Sequence, residues 1–118
     1  MGRPFAQRLG LSRAESGKHV VVDALIDTGA SFTWIPSDML EELRIRRQQR
    51  RRFSFADGRS EYYDIGTAWI RLDGWQGPTP VVFGDVGSTP LVGCATLDDF
   101  SLAVDPVNER LLPVSARE

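Results

Sequence analysis

The chain has 118 residues, 42% of them hydrophobic, with 14 basic and 16 acidic side chains, one histidine and one cysteine. That length fits one domain, 1–118, with a modest core, and a net charge of -2 gives no global attraction to nucleic acid or to an acidic membrane. A lone cysteine excludes an internal disulfide, and with a lone histidine it falls short of the ligand set of a structural zinc site.

Eleven glycines and seven prolines imply frequent turns and short strands. Phe5 to Leu11 places Phe5, Leu9 and Leu11 at even spacing, as a first strand does. Glu15-Ser16-Gly17-Lys18 reads as a turn. His19 to Ile26 has little polarity on either face, with Val20, Val22, Ala24 and Ile26 on one and Val21, Asp23 and Leu25 on the other, which predicts a central strand. Asp27-Thr28-Gly29-Ala30-Ser31 interrupts it, and Phe32 to Ile35 resumes β-type residues until Pro36. Ser37 is placed to cap a helix over Asp38 to Leu43, with Asp38, Glu41 and Glu42 near its N-terminus. Arg50 to Ala56 and Arg59 to Ile65 flank Asp57-Gly58, a type I′ hairpin signal. Thr67 to Leu72 is a further strand, closed by a second such signal, Asp73-Gly74. Pro80 to Val86 follows. Leu91-Val92-Gly93 leads into a helical stretch from Cys94 to Phe100. Ser101 to Asp105 and Arg110 to Val114 pair around Pro106-Val107-Asn108-Glu109. The prediction is a mainly β domain with one or two short helices. No stretch is apolar and long enough for a signal peptide or a membrane span, so the expected location is the cytoplasm.

The informative segment is Ala24 to Ser31. A carboxylate, Asp27, directly follows an apolar strand and stands in a turn of small residues. Gly29 allows a sharp turn or a close approach, and Thr28 and Ser31 supply hydroxyls that can orient the carboxylate. Leu25, Ile26, Ala30 and Phe32 lower the local dielectric, which disfavours an ionised carboxylate without partners. The plain alternative is an Asx-type turn between two strands.

Leu25-Ile26-Asp27-Thr28-Gly29-Ala30-Ser31 resembles the active-site loop of aspartic proteases. Its single copy in a short chain resembles the retropepsin-like (retroviral-type) branch. Pro90-Leu91-Val92-Gly93 is similar to that family's segment ahead of its C-terminal helix. Leu97 to Pro106 is similar to the continuation in bacterial single-domain members, and Phe55-Ala56-Asp57-Gly58-Arg59 to their flap hairpin. The resemblance implies a small closed β-barrel-like half-lobe and an aspartic endopeptidase without a cofactor. It implies Asp27 as catalytic residue and Thr28 and Gly29 as loop support and dimer lock. Ala30, Ser31, Ala56, Asp57 and Gly58 are then the substrate-binding residues. Ser31 stands where retroviral members often carry an aspartate, and Cys94 where they often carry an arginine. Two neighbouring carboxylates are required for this chemistry, and no second Asp-Thr/Ser-Gly occurs. The resemblance therefore implies a homodimer with one shared active site, acting on peptide or protein substrates, with an acidic to mildly acidic optimum.

Other features carry weaker signals. Six arginines lie between Arg44 and Arg52. A solvated loop and edge strand is the preferred reading, over a nucleic-acid-associated surface. His19 reads as exposed or simply hydrogen-bonded, Cys94 as a small buried residue, and Trp34 as a candidate pocket wall, with Trp69 and Trp75 as core or surface anchors. A catalytically silent peptide-binding module is the other functional alternative.

Overall fold

The computed structural model describes residues 4–115. In chain order the elements are β1 (Phe5–Ser12), β2 (His19–Ile26), β3 (Thr33–Pro36), α1 (Ser37–Glu42), β4 (Gln49–Ser54) and β5 (Ser60–Leu72). Then come β6 (Trp75–Gly84), β7 (Leu91–Val92), α2 (Cys94–Asp99), β8 (Leu102–Asp105) and β9 (Arg110–Pro113). The architecture is mainly β, as expected. Seven strands form one sheet in the order β1-β2-β7-β3-β6-β5-β4, and β1 also pairs with β5, so the sheet closes into a barrel. Its interior holds Leu9, Leu11, Ile35, Ile70, Leu72, Val81 and Val92, all at most 1% exposed. Each such side chain stabilises the fold by about 1.5–3 kcal/mol through removal from water. The β8–β9 hairpin forms a separate sheet and adds Leu102 and Leu111 to the core. Among the described residues, no helix is long and apolar enough to cross a membrane.

β5 has two roles. Its last residues, Trp69 to Leu72, pair with β1 and close the barrel. Its first, Ser60 to Asp64, pair with β4 and have no partner on β6, which joins β5 only from Ile65. The β4–β5 hairpin therefore extends beyond the barrel wall. The strand runs unbroken through Gly66, where the sequence suggests two strands. A side chain there would meet the Arg46 carbonyl and the Phe83 ring. Glycine lets the segment before β4 lie against β5, where Gln48 N–H donates to the Ile65 carbonyl at 2.8 Å.

Several local expectations are corrected. β2 is flanked by β1 along its whole length but by β7 only at Leu25 and Ile26. Its first half is therefore an edge, and Val21 is 51% exposed. β6 starts at Trp75, before the expected Pro80. Up to Val81 it has β5 on one side only, so Pro78 and Pro80 sacrifice no ladder bond on the free side. Ser37 does not cap α1: Pro36 holds that position, without a side-chain hydrogen bond. Only Asp38 lies in the first turn. Glu41 and Glu42 fall at the other end of this short helix and pair with Arg47 at 2.8 Å and Lys18 at 3.5 Å. Asp73 and Gly74 both have positive φ, 51° and 83°, as a type I′ turn requires. At Asp57-Gly58 only the glycine does, at 86°. Here Gly58 N–H donates to the Phe55 carbonyl at 3.0 Å and Phe55 N–H to the Arg59 carbonyl at 2.8 Å. That is a type I turn followed by a left-handed glycine, held by the Asp57 carboxylate accepting from Arg59 N–H at 3.0 Å.

Candidate active site

The loop after β2 is built by two distant parts of the chain. Parallel pairing of β2 with β7 continues past the strand end: Leu25 N–H donates to the Pro90 carbonyl and Asp27 N–H to the Val92 carbonyl, both at 2.9 Å. Ala30 N–H closes the turn on the Asp27 carbonyl at 3.1 Å. Helix α2 follows Gly93, which offers no side-chain cap. Its first free amides, Cys94 and Ala95, donate instead to the Ala30 and Ser31 carbonyls at 2.9 Å. The loop thus caps the helix, and the helix fixes the loop. Below it, Thr33 Oγ1 lies 2.6 Å from Thr96 Oγ1 and accepts from Gly93 N–H at 3.3 Å. Both threonines are at most 1% exposed, so these buried hydroxyls are satisfied by each other.

This scaffold presents the Asp27 side chain to a cavity of about 610 Å³. One carboxylate oxygen, Oδ1, accepts from Gly29 N–H at 2.9 Å. The other has no hydrogen-bond partner among the described residues. A Cβ at Gly29 would sit 3.2 Å from Oδ1, so a larger residue there would push the carboxylate aside by a few tenths of an ångström. Gly29, Ala30, Ser31 and Ala56 line the same cavity as Asp27. Thr28, Asp57 and Gly58 do not. Thr28 is exposed, and its backbone carbonyl accepts from Cys94 Sγ at 2.9 Å. Asp57 turns back to its own hairpin. The Arg59 N–H bond, together with the Arg59 guanidinium, holds its carboxyl below the usual range. Cys94 is half-exposed, not buried as expected, because it opens the helix that abuts the loop.

Over the cavity stands an aromatic wall that the sequence reading only touched, at Trp34. The Trp34 ring meets Tyr63 at 4.9 Å and Phe53 at 5.0 Å, both edge-on. Phe32 meets Phe53 at 5.8 Å, and Phe55 meets Tyr63 at 6.4 Å. Edge-on pairs at such distances contribute about 0.5–1.5 kcal/mol each beyond area burial. Residues from β3 and the β4–β5 hairpin are thereby joined across the cleft. The sequence signal was present: Phe53 and Phe55 stand two apart, on one face of a strand. Burial pushes the Tyr63 phenol up to about 12, aided by its bond to Glu61 at 3.0 Å and the nearby Asp85 charge. Asp85, Ser88 and Thr89 complete the rim and were not anticipated.

The arginine run is an edge-strand surface, as preferred. Arg47 is bound by Asp64 and Glu41 at 2.9 and 2.8 Å and lies over the Phe83 ring. Rings absent from the run itself come from elsewhere: Tyr62 lies below Arg50, and Phe32 below Arg51. His19 is exposed as expected, Trp69 is half-buried and Trp75 is 51% exposed. No group of three or more His, Cys, Asp or Glu gathers to hold a metal ion among the described residues.

A family model described as Aspartyl protease matches residues 12–95, which include the Asp27 loop and the helix start that it caps. The solution structure of the simian foamy virus (mac) protease is similar, with a TM-score of 0.59 at 17% identity over 80% of this chain and 92% of that one. An EIAV protease in complex with an inhibitor is similar with a TM-score of 0.62 at 14% identity, over 93% of each chain. No curated protein sequence matches this chain.

Proposed function

The chain belongs to the aspartyl protease family and has the fold of the retroviral proteases, and on that premise we propose that it is a homodimeric aspartic endopeptidase. The observation that carries this reading is the half-satisfied Asp27 carboxylate, held by Gly29 and open to a cleft large enough for a peptide. One carboxylate is half of the required machinery. A two-fold axis beside the loop supplies the other as the partner's Asp27. Thr28 supports this placement: its exposed hydroxyl, beside Asp27, has no partner among the described residues and is free to bridge two loops.

Two carboxylates about 3 Å apart cannot both ionise and hold one proton between them. The ionised member takes a proton from a bound water, and the protonated member donates a hydrogen bond to the scissile carbonyl oxygen. The water oxygen bonds to the carbonyl carbon as its π bond opens and the carbonyl oxygen takes the proton of the protonated carboxyl, giving a tetrahedral gem-diol. A proton then passes to the amide nitrogen, the C–N bond breaks, and the shared proton is restored. No covalent enzyme bond and no cofactor take part. The bound peptide lies between the Asp27 loop and the β4–β5 hairpin, against Ala30, Ser31 and Ala56, with Asp57 and Gly58 shaping the hairpin tip. Incubation with a mixed peptide library at several pH values, read by mass spectrometry, tests this. Cleavage with an acidic optimum is expected, falling on dilution and absent from a folded Asp27→Asn variant. A full-rate Asp27→Ala protein, or constant activity from a demonstrated monomer, refutes it.

A further inference from the structure

The charge and ring pattern of the cleft goes one step beyond the reaction. We infer that the cleft selects peptides carrying a lysine or arginine side chain, received between the Trp34–Tyr63 wall and the Asp85 carboxylate. This rests on the peptidase reading above and gives that reading its substrate class.

Two features of the cleft converge on a cation. The first is the wall: Trp34, Phe53, Phe55 and Tyr63 are half-buried, with ring surface left toward the cavity they line. Such surface takes the methylene stem of a long side chain and attracts its charged head. This hairpin already gathers guanidiniums in that way, with Arg59 4.6 Å over Phe55 and Arg51 5.6 Å over Phe32. The second is the rim. The only polar contact of the Asp85 carboxylate among the described residues is the Tyr63 hydroxyl at 3.5 Å, and it has no ion pair there. Arg59 is already committed, to Glu61 at 3.1 Å and Asp57 at 3.5 Å. Among the charged residues that line the cavity, the carboxylates of Asp27 and Asp85 outnumber the guanidinium of Arg59; Arg47 and Arg50, which share the neighbouring pocket with Asp85, are turned to Glu41 and Asp64. An acidic side chain placed here meets Asp85 and Asp27. A hydrocarbon one covers Asp85 without pairing it, at a desolvation cost. A cation with an aliphatic stem satisfies both wall and rim.

Binding is read separately from turnover. The Asp27→Asn protein is titrated with matched peptides that differ at one central position: arginine, lysine, norleucine or glutamate. At low salt the basic peptides are expected to bind about tenfold tighter than the norleucine one, and less so as salt rises. Asp85→Asn should bring that ratio close to one, and Asp85→Glu should retain it. Equal or weaker binding of the basic peptides, or a ratio that survives Asp85→Asn, overturns the inference. Wild-type protein that cuts norleucine peptides in preference overturns it and leaves the peptidase reading standing. Wild-type protein that shows the basic preference in binding but cuts nothing supports the selectivity and removes the peptidase. Failure to bind any of the peptides overturns both.

Discussion

Replacing Gly93 by alanine tests whether the Asp27 loop depends on close backbone contact with the start of α2. Gly93 has φ -97° and ψ 177°, which any residue adopts, so dihedral strain is not the obstacle. The obstacle is space. A Cβ would lie 2.6 Å from the Phe32 carbonyl carbon, 2.8 Å from the Ala30 carbonyl oxygen and closer still to the Phe32 oxygen. All three are backbone atoms, so no side-chain rotation relieves them. Moving the Phe32 carbonyl carbon from 2.6 Å to an ordinary contact of 3.4 Å displaces the loop or the helix start by at least roughly 0.8 Å, and the nearer oxygen requires more. Overpacking of this kind costs about 1–3 kcal/mol. Two hydrogen bonds are strained with it, Cys94 N–H to Ala30 and Gly93 N–H to Thr33, at about 1 kcal/mol each. The expected loss is about 3–5 kcal/mol. With about 2.1 cal/mol/K of unfolding entropy per residue, 118 residues convert this to a melting temperature lower by about 12–20 °C. Turnover should fall about a hundredfold from the misplaced loop, if the variant stays folded. Calorimetry at fixed protein concentration reads the first effect. Gly77→Ala is the control, because its Cβ would meet only the Phe100 ring at 3.4 Å; it should stay within about 1 kcal/mol of wild type. A Gly93→Ala protein that melts with the control refutes the reasoning.

Two more outcomes follow from buried or half-buried polar groups. Thr96→Val leaves the Thr33 hydroxyl without its 2.6 Å partner and should cost about 1–3 kcal/mol in urea unfolding. Thr33→Val and Thr96→Val together should cost clearly less than their sum, and strict additivity would show that the two hydroxyls are not coupled. Tyr63 is held neutral beyond the usual phenol range, to about 12. Its raised value favours the protonated form in the folded state, so its contribution to stability is complete below about pH 10 and lost as pH rises through about 12. In a difference titration at 295 nm between wild type and Tyr63→Phe, the Tyr63 phenolate should be absent at pH 10.5; its appearance at the ordinary value would contradict the burial argument.

The β elements were legible where the alternation was free of punctuation, as in His19 to Ile26 and Phe5 to Leu11. They were misread where glycine or proline had a tertiary purpose. Gly66 looked like a break because its reason, the Arg46 carbonyl crossing the strand, comes from another segment. Pro78 hid the first half of β6, so that the strand reads as starting at Pro80, because the free edge of β6 is a property of the sheet, not of the local sequence. The Asp27 loop stood out because its chemistry is contiguous, from Leu25 to Ser31. Its support did not, since the capping of α2 by the Ala30 and Ser31 carbonyls joins residues more than sixty positions apart. The aromatic wall was hidden for the same reason: Trp34, Phe53 and Tyr63 lie in separate strands and meet only when the hairpin folds over β3.

Dependence of the Asp27 loop on Val92, Cys94 and Ala95 also sets an order of events during synthesis. The loop leaves the ribosome long before the residues that fasten it have been translated, and pairings this distant in the chain form late. A nascent polypeptide lacking the stretch from Pro90 to Thr96 therefore presents its carboxylate on an unanchored turn. A product that ends before Pro90 therefore lacks every backbone contact that this later segment makes with the carboxylate's turn.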